Sequence, residues 1–301
     1  MATCLVEGRR LAVVGRAVLG TGLSLLFCLA LFVAPALAYG GPLPPDARLV
    51  GMGWTYVGVL DLPNPACANP AAFGFGVDGI SGLVGIGIGG STADGGTLFA
   101  GVRDVDRGIG AGGLSIAYRR PAGAEPAVMH LGYGIGKKLG DRYALGLGIG
   151  YARIADSTVQ TLTTDAGLAL KFGAFSAGVM ASGITASRFG DGNTMETDFV
   201  PEVSFGLALR PLKPITLAVD AHDVFGRDST RNPWYSGGVE VWIRDRFALR
   251  CGAIASPKTE GVEMSYTGGL GFRAGKVDFG YALTWEAGAA SNHCVTIGAK
   301  F

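Results

Sequence analysis

At 301 residues, 49% hydrophobic and only 16% charged, the chain is too apolar and too weakly charged for a solvated, disordered polymer. Its 51 glycines are about twice ordinary usage but follow no Gly-X-Y period, which excludes collagen. A net charge of +1 offers no basic surface of the kind nucleic acid needs.

The N-terminus reads as an export signal spanning residues 1–38. Arg9, Arg10 and Arg16 form a basic region, Ala17 to Val33 is uncharged and mostly apolar, and Ala36-Leu37-Ala38 supplies the small residues a signal peptidase requires. Cleavage is expected after Ala38; an uncleaved membrane helix is the competing reading. Without this segment the chain carries 22 basic and 23 acidic residues and three cysteines, Cys67, Cys251 and Cys294. Their odd number and spacing suggest neither a disulfide framework nor a metal site, so buried or lipid-facing thiols are expected. No later run of about eighteen apolar residues follows, so a helical span is not expected.

Residues 39–78 lack sustained alternation. They contain Asn64-Pro65-Ala66 and Asn69-Pro70-Ala71, and proline cannot donate to a strand ladder. This stretch is large enough to form a hatch inside a barrel; a loose tail is the alternative.

From residue 79 onward, apolar residues alternate with small or polar ones, the signature of strands with two different faces. Tyr143, Leu145, Leu147, Ile149 and Tyr151 oppose Ala144, Gly146, Gly148 and Gly150, and the end of the chain alternates Val295, Ile297, Ala299 and Phe301 against Thr296, Gly298 and Lys300. Fourteen strands are predicted: 79–89, 96–104, 108–119, 127–138, 141–153, 161–172 and 174–184, then 199–210, 215–223, 234–243, 247–255, 265–274, 276–285 and 292–301. Each has about the nine to thirteen residues needed to cross a bilayer at a tilt.

The joins alternate in length. Val105-Asp106-Arg107, Gly140, Gly173, Pro211 to Pro214, Arg244-Asp245-Arg246 and Gly275 are tight. Gly90 to Gly95, Pro121 to Pro126, Ile154 to Gln160, Thr185 to Asp198, Val224 to Pro233, Ser256 to Met264 and Glu286 to Ser291 are longer. Short turns at one rim and longer loops at the other are how outer-membrane barrels are built. In hydrocarbon every backbone N–H and C=O needs a protein partner, so such a sheet must close on itself. The expected fold is therefore all-β: a transmembrane antiparallel barrel of about fourteen strands over 79–301, with a plug segment at 39–78.

The outward face is predicted to be Leu, Ile, Val, Phe and Tyr, with Tyr143, Tyr151, Phe172, Tyr235, Phe247, Tyr266 and Trp285 as aromatic girdles near the strand ends. The inward face divides. Gly85, Gly87, Gly132, Gly134, Gly146 and Gly148 leave room for a plug or an apolar ligand. Glu202, Arg210, Asp220, His222, Glu240, Arg250, Arg273 and Asp278 bring charge into the lumen. Those charges form either a polar substrate path or a paired network that stabilises the interior, because buried charges need partners.

Catalysis finds little support. The chain has three histidines, His130, His222 and His293, and Asp223 follows His222 directly, so on one strand the two point to opposite faces. Neither a Gly-x-Ser-x-Gly elbow nor a metal-binding histidine pair occurs, and no cofactor or metal is expected.

The stretch from Met52-Gly53-Trp54-Thr55 through Asn69-Pro70-Ala71-Ala72 resembles the N-terminal pattern of the FadL-type superfamily, in which an Asn-Pro-Ala follows a plug segment. Asp165-Ala166-Gly167-Leu168, Gly238-Val239-Glu240-Val241-Trp242 and Ala248-Leu249-Arg250-Cys251-Gly252 look more like its PorV/PorQ-type branch, as do Gly269-Leu270-Gly271-Phe272 and Val277-Asp278-Phe279-Gly280-Tyr281-Ala282. The resemblance implies a fourteen-stranded outer-membrane barrel with an N-terminal hatch that carries small hydrophobic molecules. The PorV-like pieces imply instead a scaffold for protein secretion or surface attachment. Phe301 resembles the C-terminal aromatic by which barrel-assembly machinery recognises its clients. Outer-membrane lipid and that machinery are the partners so implied.

Overall fold

The computed structural model describes residues 46–62, 68–76, 78–88, 96–106, 110–120, 126–155, 160–190, 193–198, 201–225, 233–258, 261–286 and 291–301. The expected export signal and Cys67 lie outside them.

The alternating segments form β1 (Gly79–Ile88), β2 (Gly96–Asp106), β3 (Gly110–Arg120), β4 (Val128–Leu139), β5 (Tyr143–Ile154), β6 (Gln160–Phe172) and β7 (Phe175–Ser182). After β8 (Ala186–Gly190) and β9 (Asn193–Asp198) come β10 (Glu202–Leu212), β11 (Ile215–His222), β12 (Trp234–Ile243) and β13 (Phe247–Lys258), then β14 (Gly261–Ala274), β15 (Val277–Glu286) and β16 (Asn292–Lys300). Strands β1 to β7 and β10 to β16 pair antiparallel in chain order, and β16 returns to β1 with Val84 opposite Ile297. The ring of fourteen strands is closed, as the alternation predicted.

Its polarity is inverted relative to a water-soluble sheet. Leu147 is 60% exposed and Leu270 56%, whereas Ala144, Ala208, Ala248 and Ala282 on the opposite face are buried. A continuous apolar exterior of this kind is stable only against lipid, and closure leaves no edge to desolvate. Tyr143, Phe172, Tyr235, Phe247, Tyr266 and Trp285 are exposed as expected; Tyr151 is half-buried. Cys251 is exposed on the outer face and Cys294 is buried.

Three expectations change. Thr185 to Asp198 is not a plain loop, because β8 and β9 form a hairpin within it. The cause is unequal strand length. β6 runs 13 residues against the 8 of β7, which pairs with it only from Ala166 to Phe172, and β8 takes up the ladder from Gln160 to Thr163. Ser256 to Met264 is mostly strand: β13 and β14 stay paired out to Lys258 opposite Gly261. Finally, β10 continues through Pro211 to Leu212 with a register shift after Leu209. A bulge there tolerates the missing proline donor.

The tight turns at the other rim need left-handed backbone. Gly140, Gly173 and Gly275 supply it with φ of 64°, 58° and 61°. The β12–β13 turn uses Arg244 and Asp245 instead, at φ of 51° and 55°, closed by Arg246 N donating to Ile243 O at 3.1 Å. This is a hairpin turn that favours Asn-Gly. Asp245→Gly is therefore expected to stabilise the barrel by about 1 kcal/mol, read as a higher midpoint in guanidinium unfolding.

Candidate functional site

The ring encloses residues 46–62 and 68–76. A short helix α1 (Ala47–Gly51) is capped by Asp46, whose carboxylate accepts from Leu49 N at 2.9 Å. Gly53 and Trp54, at φ of 73° and 65°, then turn the chain towards the long-loop end. After an extended run to Leu62, a 3-10 helix (Pro70–Phe75) begins with Asn69 as its cap and Pro70 in its first turn. These pieces pack on the small residues of the inner face. A Cβ on Gly238 or Gly252 would overlap the backbone of Met52 and Gly53; one on Gly206, that of Gly58; one on Gly136 or Gly146, that of Pro70. These inner glycines are thus seats for the plug, whereas Gly85 meets the Phe99 ring and Gly148 the Asp165 side chain of neighbouring strands.

Asn69 joins the two halves of the plug. Its Oδ1 accepts from Ala71 N at 3.0 Å, while its Nδ2 donates to Val57 O at 3.1 Å and reaches Leu168 O and Val179 O on β6 and β7 at 3.3 and 3.4 Å. Asn69, Pro70 and Ala71 are all buried. Only an amide offers both an acceptor and donors at one side-chain end, which explains the residue type.

The lumen charges that the alternation singled out are mostly latches. Glu240, 0% exposed, accepts from Arg48 of α1 at 2.8 and 2.9 Å and from Arg250 at 2.8 Å. Arg48 also bonds the Asp61 carboxylate, and Arg210 pairs with the same group while donating to Thr216 Oγ1 at 3.3 Å. Asp220 accepts from Tyr56 N and Val57 N at 2.6 and 2.8 Å. His222 is buried beside it, with Nε2 3.8 Å from the Asp220 carboxylate and 3.3 Å from Ser236 Oγ. Arg273 and Asp278 stand apart at the turn rim, joined at 2.6 Å with Lys300 alongside at 3.3 Å. Glu202 lies half-buried at the loop end of β10.

Several residues of the site escaped the alternation. Arg48 and Asp61 lie in the non-strand segment, where no face can be assigned. Arg103 is buried on β2, bonded to Ser81 Oγ and donating to Leu62 O. Trp234 shares parity with Ser236 and Glu240, which was the available signal. Its ring stacks on His222 at 3.6 Å and 13°, and Tyr56 tilts onto the same imidazole at 5.0 Å. Below this aromatic cap Leu49, Met52, Val57, Val59, Met180 and Ala218 form an apolar interior.

Asp61 contributes to the pH dependence of the plug. Partial desolvation would raise its pKa, but Arg48 and Arg210 outweigh that and hold the carboxyl, still 46% exposed, well below its ordinary 3.8. An acid with a depressed pKa in the seated state stabilises that state above the ordinary value and stops doing so as pH falls below it. The contribution of this carboxylate to plug seating is thus expected to be complete from neutrality down to about pH 4 and to weaken below. Asp61→Asn should be looser at neutrality and lack that weakening on the acid side. Single-channel conductance against pH reads both.

Among the described residues no group of three or more His, Cys, Asp or Glu side chains is placed to hold a metal ion. At the turn rim, beneath the 3-10 helix, a cavity of about 850 Å³ opens between Phe73, Phe75 and Val105 on one side and Lys138, Arg142 and Lys171 on the other.

No family model matches the chain, and no curated protein sequence matches it. Solved structures do match in fold. The CymD monoaromatic hydrocarbon channel superposes with a TM-score of 0.64 at 11% identity, covering 87% of this chain and 99% of its own. A FadL homologue from Pseudomonas aeruginosa gives 0.61 at 13% over 87% and 99%. The toluene transporter TbuX from Ralstonia pickettii gives 0.61 at 11% over 85% and 98%.

Proposed function

We propose that this barrel sits in a bacterial outer membrane and passes small hydrophobic molecules through its lumen. One observation carries the reading: a ring closed against lipid surrounds an apolar core of plug and strand side chains, with Tyr56, His222 and Trp234 in ring contact over it at the long-loop end. Sites for apolar cargo are concave, mainly apolar and aromatic, with a few placed polar groups. His222 and Ser236 are the polar groups beside that cap. The fold shared with structures described as a toluene transporter and a monoaromatic hydrocarbon channel supports the same class of cargo. Liposome uptake tests it: protein-loaded vesicles should take up toluene or a fatty acid faster than empty ones, and equal rates for both cargoes would sink the reading.

The proposal includes residues 1–38 as a signal removed after Ala38, 39–78 as the hatch and 79–301 as the barrel, with the long loops facing outward. N-terminal sequencing of the membrane-inserted chain should begin at Tyr39. Phe301, 76% exposed on the outer face, is assigned as the signal for barrel-assembly machinery. No catalytic role is proposed. A PorV-type scaffold is the competing proposal, carried by short motifs alone; a stoichiometric protein partner retained through purification from native membranes would favour it.

A further inference from the structure

The cavity at the turn rim has a composition that the plug does not explain. Its floor is apolar, formed by Phe73, Phe75, Val105 and Ala111. Its mouth runs across the β4–β5 turn at Gly140 to Arg142 and reaches Gly173 of the β6–β7 turn, so it opens where the barrel leaves the membrane. Three cations, Lys138, Arg142 and Lys171, line it together with the backbone of Lys137, against one acid, Asp141. That acid is fully solvent-exposed and only 3.6 Å from Lys138, a weak surface pair.

Two of the cations lie against aromatic rings. The Arg142 guanidinium sits 5.2 Å from the Phe172 centroid, and the Lys171 ammonium 5.9 Å from that of Phe75. Phe172 lies on the outer face, edge-on to Tyr143 at 6.5 Å, and exposed Leu139 and Leu145 continue the apolar wall from there. A cationic hollow thus adjoins an aromatic girdle and an acyl-height apolar strip. An anionic head with apolar chains satisfies both at once, because the head meets cations at the interface while the chains stay in hydrocarbon.

We infer that this cavity binds the phosphate headgroup of an anionic membrane lipid. Arg142 and Lys171 hold the phosphate, Lys138 adds charge from the inner wall, and the acyl chains lie along Leu139, Tyr143 and Leu145. A cargo acid emerging from the lumen would share the charge, but it would have no use for the outer strip. The inference needs only the membrane placement of the barrel, so it stands or falls separately from transport.

The test is native mass spectrometry of the full chain in detergent, titrated with dioleoyl phosphatidylglycerol or dioleoyl phosphatidylcholine. A one-lipid adduct that favours phosphatidylglycerol is expected, with R142Q/K171Q losing that preference by about fivefold for each cation removed. Lys258→Gln at the opposite rim should keep it. A heat-dependent gel shift confirms that each variant is folded. Equal adducts with both lipids, or an unchanged preference in R142Q/K171Q, would overturn the inference. Displacement of the lipid by millimolar inorganic phosphate would reduce the site to a free-anion site, and displacement by decanoate would assign it to cargo; each result overturns the lipid assignment.

Discussion

Glu240→Ala is expected to unseat the plug while leaving the ring closed. The carboxylate is fully buried and accepts from Arg48 on α1 and Arg250 on β13. Removing it takes the paired carboxylate from Arg250, whose side chain is 4% exposed, and leaves Arg48, 13% exposed, with Asp61 alone. Breaking a buried pair from one side costs about 3–5 kcal/mol, far more than the pair itself contributes against an apolar substitute. The ladders of the fourteen strands do not depend on Glu240, so the loss falls on α1 and the run to Leu62. Planar-bilayer conductance should rise well above the unmodified protein, and proteases should cut within 46–62. Glu240→Gln, which keeps an acceptor but not the charge, should fall between. Conductance and protection unchanged in the alanine variant would show that the latch is not what holds the plug.

Gly146→Val should produce a comparable opening by a different route. A Cβ at Gly146 falls on the carbonyl carbon of Pro70 and the amide of Ala71. That backbone cannot step aside, because Asn69 ties it to Val57, Leu168 and Val179. Overpacking of a rigid site costs about 1–3 kcal/mol, and here it is relieved by releasing the 3-10 helix. Gly268→Val is the control, since nothing lies within 4 Å of a Cβ there. The expected result is faster solute entry into vesicles for Gly146→Val and unchanged entry for Gly268→Val. Equal entry for both would mean that the inner glycines are not seats.

The two substitutions also separate what alternation reveals from what it hides. Gly146 and Glu240 could both be placed on the inner face by counting residues from Leu145 or Val241, because parity holds along a strand without a bulge. The partners of that face could not. Arg48, Asp61 and Asn69 lie in a segment without periodicity, and their contacts span 192, 149 and 99 or more positions of sequence in the case of Glu240, Arg210 and Leu168. The β8–β9 hairpin was hidden for the same reason: it answers to the unpaired end of β6, not to any pattern of its own.

The order of residues by itself determined the closed antiparallel barrel, its lipid-facing exterior and its two unlike rims, since each follows from a period of two and the length of the joins. Only the tertiary structure decided that the glycines are seats, that the lumen charges are latches on the N-terminal segment, and that Trp234, His222 and Tyr56 meet. The physical reason is range: parity is set by neighbouring residues on one strand, whereas a latch depends on which groups ring closure brings within hydrogen-bonding distance.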